Sequence, residues 1–144
     1  MLKNRLVDIK GINKNYTVRC VGMDYGENYT RLSYETALIA FVKKDKSIRI
    51  MLGTRNIKTA ALAHGNMGGL LNGHDKRCNI KNGNMAVVDM ALGECRAFNV
   101  DRVLKIHYFG EILTEERLVE VYKEFKDIKQ QFETEMANLS LDTM

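Results

Sequence analysis

Six residues of this 144-residue chain carry the charge and ring chemistry of a polyanion site: Arg49, Arg55, Lys76, Arg77, Arg96 and Phe98. A guanidinium forks onto phosphate oxygens, and a neighbouring aromatic ring can stack on a base. Residues two apart in a strand share a side, so Arg96 and Phe98 face the same way if 94–98 is extended. The same pair has a purely structural reading, with Phe98 in the core and Arg96 pairing with Asp89 or Glu94 across a hairpin. Both readings are open on sequence grounds.

A second group lies in a glycine-rich run: Gly65, Asn66, Gly68, Gly69 and His74. Backbone N–H groups there can approach a phosphate as nests do, but the run matches neither GxxxxGK[ST] nor GxGxxG between strand and helix. It reads better as a partner-contacting loop, because long irregular segments in small domains usually serve function or are disordered. His74 and Cys78 have a zinc-like spacing, yet His64, His107, Cys20 and Cys95 supply no second close pair, so no metal is expected. No nucleophile elbow, HExxH or motif-flanked carboxylate pair occurs, so neither an enzyme nor a cofactor is expected.

Short β-rich elements must position these groups. Met85 to Met90, a turn at Ala91-Leu92-Gly93, and Glu94 to Phe98 read as a hairpin that continues into a strand at Arg102–Ile106. Tyr16–Val21 reads as a strand, after a short leading element in 1–15. Ala37–Val42 is uniformly apolar and Ile48–Leu52 alternates, which predicts a second hairpin around the polar turn 43–47. Ile48, Ile50 and Leu52 then share one face, with Arg49 and Met51 on the other. Residues 22–29 have loop composition, and a helical turn is expected to begin near Leu32. Gly53 is expected in a backbone conformation closed to other residues, and Asn56 as a residue bonding its own backbone. Ile57 to His64 has helical composition, and Asn82-Gly83-Asn84 reads as a turn.

From Thr114, a suitable N-cap, Leu118, Val121, Phe125, Ile128, Phe132, Met136 and Leu139 follow at intervals of three or four, which predicts one long amphipathic helix. The helix either packs on the sheet or pairs with a second copy in a homodimer.

A net charge of +4 hides an asymmetry: residues 1–113 hold 18 basic and 10 acidic side chains, residues 114–144 hold 4 and 8. That balance suits a polyanion partner for the body, or the acidic helix docking upon it. No run approaches the roughly 20 apolar residues a membrane helix needs. Three widely spaced cysteines suit reduced thiols, so no membrane association and a cytoplasmic setting are expected.

Residues 36–57 and 84–106 resemble WYL-type domains. The features are Asp89, Gly93, Arg96, Phe98, Asp101 and Arg102 in the closing strands. FVKKDKSIRIMLGTRN looks like the phage and plasmid branch of that group. The chain has no Trp, and its turn reads Asp45-Lys46 rather than Asp-Gly. The resemblance implies a small SH3/Sm-like antiparallel β-barrel, which together with the long C-terminal helix gives an α+β chain. Residues 1–113 would form the barrel, with a glycine-rich insertion around 57–83, then the helix at 114–139 and a tail at 140–144. It also implies a phage or mobile-element setting and a regulatory module for nucleic acid or a nucleotide. Joined to the basic residues above, the expectation is a phage-type accessory module that binds single-stranded nucleic acid or a nucleotide through a basic face. The alternative is a protein-interaction factor acting on a host, phage or defence protein.

Overall fold

Strand β3 (Thr36–Val42) is buried at every residue, because apolar layers cover both its faces. Leu38 and Ala40 enter one layer with Leu52, Val88 and Met90, while Ala37, Ile39 and Phe41 enter the other with Met51, Met85 and Val87. A strand covered on both sides reads as a continuous apolar run. The computed structural model describes residues 5–10, 15–65 and 78–142.

β3 pairs antiparallel with β4 (Ile48–Thr54), from Thr36 opposite Thr54 to Val42 opposite Ile48. After the short helix α2 (Ile57–His64) come β5 (Asn84–Asp89) and β6 (Glu94–Asn99), paired from Asn84–Asn99 to Asp89–Glu94. A three-residue 3₁₀ turn, Val100–Arg102, leads into β7 (Val103–Tyr108), which returns to pair with β3. The result is an α+β fold built on a five-stranded antiparallel sheet, ordered β6-β5-β4-β3-β7. The sheet does not close, yet it must curl. Edge strands in a flat five-stranded sheet lie about 19 Å apart, and the link from Asn99 to Val103 spans at most about 14 Å. The ring of Phe98 on β6 reaches that of Phe41 on β3, 5.5 Å between centroids, although two strands lie between them in the sheet.

β1 (Arg5–Lys10) and β2 (Asn15–Cys20) form a separate hairpin, so the leading element is a strand. Ile9, Val18 and Cys20 seat it against Val42 at one end of the sheet. The expected alternation in β4 is present: Ile48, Ile50 and Leu52 join the first layer and Met51 the second.

Helix α3 (Glu115–Asp142) covers the first layer and runs three residues past the expected end at 139. Thr114 Oγ1 accepts from the Arg117 N–H (3.1 Å) and caps it. Leu118, Val121 and Phe132 are buried, with Phe125, Ile128 and Met136 partly so. No helix among the described residues is long and apolar enough to cross a membrane.

Two expectations need correction. Much of segment 22–29 is not a loop: α1 spans Tyr25–Leu32, with Asp24 Oδ1 accepting from the Glu27 N–H at 2.8 Å. The glycines and Asn28 suggested a loop, but Tyr25, Tyr29 and Leu32 form a helical stripe that packs on the second layer. Gly53 has no left-handed backbone. It is needed for space, since a Cβ there would stand 2.9 Å from Val87 Cγ2 and 3.3 Å from Ile39 Cδ1. Gly93 does take the left-handed conformation expected of the β5–β6 turn, at φ 69°.

Candidate functional site

The β3–β4 turn, 43–47, carries three lysines, Lys43, Lys44 and Lys46. Lys43 N–H donates to Ser47 O (2.8 Å), Lys46 N–H to Lys43 O (3.0 Å), and Ser47 N–H to Asp45 Oδ1 (3.0 Å). Lys46 sits at φ 72°, a left-handed position that glycine would take more readily. Directly beside this turn the curl of the sheet brings the end of β6 and the 3₁₀ turn. Between them lies a groove of about 410 Å³. Phe41, Val42, Ala97 and Phe98 give it an apolar lining; Asn84 and Asn99 add amides; Lys43, Lys44, Arg49 and Arg102 ring it with charge. No carboxylate among the described residues lines it. Lys43 has a distant partner in Asp45 at 3.9 Å. Lys44, Arg49 and Arg102 have no carboxylate within ion-pair distance among the described residues.

The other sequence candidates fall elsewhere. Arg96 and Phe98 do share a side of β6, and of the two readings the structural one describes them. Phe98 is 3% exposed and packs on Phe41, so it offers an edge of the groove lining rather than an open stacking face. Arg96 Nε donates to Asp89 Oδ2 (3.1 Å) and Nη2 to Glu94 Oε2 (3.4 Å). Asp89 is buried and also accepts from the Ala91 N–H at 3.1 Å, so this ion pair holds the hairpin turn.

Arg55 is a structural clasp. Its guanidinium lies over the Tyr29 ring at 4.3 Å, with Nη2 donating to the Tyr29 hydroxyl (3.1 Å). Nη1 donates to Ala86 O and to Cys78 Sγ, the latter at 3.2 Å. The clasp thus joins α1, β5 and the segment that precedes β5. Beside it, burial pushes the Tyr25 hydroxyl up to about 12, with its hydrogen bond to Cys78 adding to the shift. Burial likewise raises Tyr108 to about 12, against an opposing pull from the Arg31 guanidinium stacked on its ring at 3.7 Å.

Gly65 ends α2 at φ 78°, its N–H donating to Ala61 O (2.9 Å). Asn66, Gly68, Gly69, His74, Lys76 and Arg77 lie outside the described residues. Among the described residues no group of three or more His, Cys, Asp or Glu side chains gathers where a metal could be held. His64 Nε2 instead lies 2.6 Å from Met90 O, and His107 stacks edge-on to Phe109.

Sequence reasoning placed only Arg49 of the four cations that ring the groove. In sequence Lys43 and Lys44 read as a polar turn and Arg102 as part of a strand pattern. The adjacency of two lysines at a strand end was the available signal. Their proximity to Arg102 depends on the curl, which no local pattern encodes.

Comparison of the chain with models of known protein families, with curated proteins and with solved structures finds no match.

Proposed function

We propose that the protein is a non-enzymatic binding module that holds single-stranded nucleic acid or a nucleotide by its phosphates in the basic groove. One observation carries this reading: among the described residues four cations and no carboxylate line a single groove, and three of the four have no ion-pair partner there. Unneutralised cations converging on a cleft raise the local concentration of anions and supply most of the affinity for a phosphate backbone. With Phe98 turned inward, phosphate contact rather than stacking on that ring supplies the binding energy in this groove, so little sequence preference is expected. On the same reading the curled sheet is a small SH3/Sm-like barrel, whose two edges are joined by the three-residue link Val100–Arg102. The setting is an accessory or regulatory role of the phage type.

The experiment is a titration of labelled single-stranded DNA and RNA followed by fluorescence anisotropy across a range of salt. Counterion release predicts log affinity falling linearly with log salt, by about 0.7 per phosphate contacted. Absence of binding at low salt overturns the reading.

A second reading has its own observation. Tyr34, Ile57 and Leu113 are large, apolar and more than half exposed. Their neighbours tie them to one region: Asn56 Nδ2 donates to Tyr34 O, and Thr59 Oγ1 to Ile112 O. Such a patch suits a protein partner, here a host, phage or defence protein. Retention of a partner after nuclease treatment favours this reading over the first.

A further inference from the structure

The charged surface continues past Arg49. β4 meets β5 only at Gly53 and Thr54, with the Met90 N–H donating to Leu52 O at 2.8 Å. From Ile48 to Met51 the strand pairs with β3 on one side and has no strand partner on the other among the described residues. Along that bare edge, between β4, the β5–β6 turn and α3, opens a second cleft of about 290 Å³. Ile50, Leu92 and Phe125 give it an apolar floor, while Arg96 and Lys129 stand at its walls. Arg49 lines both clefts. Among the described residues the one carboxylate lining the second cleft, Asp89, is paired with Arg96, which Glu94 also holds, so Arg49 and Lys129 are the cations of this cleft without an ion pair.

We infer that the two clefts form one track for an extended single-stranded oligonucleotide, whose backbone runs from Lys43, Lys44 and Arg102 past Arg49 to Lys129. This rests on the phosphate-binding reading and narrows it. A mononucleotide occupies the first cleft alone. A chain with an anion at every repeat matches cations set at intervals along a path, and its sugars and bases lie against the apolar floor between them. The bare β4 edge leaves room for that chain, because no strand covers the backbone there. An acidic peptide has comparable charge but lacks the flat faces that an apolar floor accommodates, and it is a separate outcome of the test.

The test uses the full chain and thymidine probes, from a mononucleotide to the roughly 4–16 nucleotides that single-strand-binding folds cover. Expected is affinity that rises with length, by about tenfold or more overall, with a salt slope that rises in step. Lys129→Gln shrinks the slope by about 0.7 for the long probe and leaves the mononucleotide unchanged, Lys129→Arg restores it, and Lys58→Gln, outside both clefts, changes neither. If long and short probes bind alike and Lys129→Gln has no effect, the track is overturned while the first groove stands. If a glutamate peptide of matched charge competes as well as the oligonucleotide, the track is overturned in favour of an acidic protein segment. If no probe binds at low salt, the phosphate-binding reading falls and the track with it.

Discussion

Arg49 and Arg55 stand six residues apart, near opposite ends of the same strand, and the fold uses them in opposite ways. Arg55 is enclosed: a tyrosine ring on its face, a carbonyl and a thiol at its nitrogens. Arg49 lines two clefts and has no carboxylate within ion-pair distance among the described residues. The same side chain is a structural clasp where its donors are consumed inside the fold and, on the proposed reading, a ligand contact where they are not. Residue type does not separate the two cases; the partners do.

The largest effect that tests this contrast is Arg55→Ala. It removes a cation–π contact and strands the Ala86 carbonyl, and a loss of about 3 kcal/mol in denaturant unfolding is expected. Binding per folded molecule should be unchanged. A stable Arg55→Ala protein with weakened binding would reverse the assignment.

Next comes Arg96→Ala, which leaves the buried Asp89 carboxylate with only the Ala91 N–H of its described partners. A cost of about 2 kcal/mol is expected, with little change in the mononucleotide affinity. Arg96 then belongs with Arg55 as a structural residue, although it stands at the wall of the second cleft. Gly53→Ala is expected to cost about 1–2 kcal/mol, because the new methyl meets Val87 and Ile39 between packed strands. Thermal unfolding reads it, and an unchanged midpoint would mean that the curl has slack at this point.

The smallest effect concerns pH. The hydroxyls of Tyr25 and Tyr108 are raised from 10.0 to about 12 in the fold, so the folded state favours their protonated form. The stability they contribute is fully present below pH 10 and is lost as pH rises towards about 12. Ultraviolet titration should show these two among the late-ionising tyrosines, and Tyr108→Phe should flatten the decline. Ordinary titration of all the tyrosines would show that the layer around Arg55 is open to water.

Local patterns made much of the fold legible. The continuous run Ala37–Val42, the alternation after Ile48 and the stripe from Leu118 to Met136 each reflect burial that a sequence period reports directly. Helix α1 was hidden because its glycines and Asn28 look like a loop. Asn28 is in fact occupied, donating to Asp24 O and accepting from the Tyr108 hydroxyl. The groove was legible in one residue of its four cations. Arg49 could be named from its strand, but Lys43, Lys44 and Arg102 meet it only because the sheet curls back on itself. That curl is a consequence of the short link after Asn99, and such a long-range constraint leaves no periodic trace in sequence.

The open groove is tested most directly by the salt dependence of single-strand binding in the double variant Arg49→Ala, Arg102→Ala. Both substitutions remove side chains that make no ion pair among the described residues, so stability should stay within about 0.5 kcal/mol of the parent protein. Loss of two phosphate contacts should shrink the slope of log affinity against log salt by about 1.4. A slope identical to that of the parent protein would contradict the account.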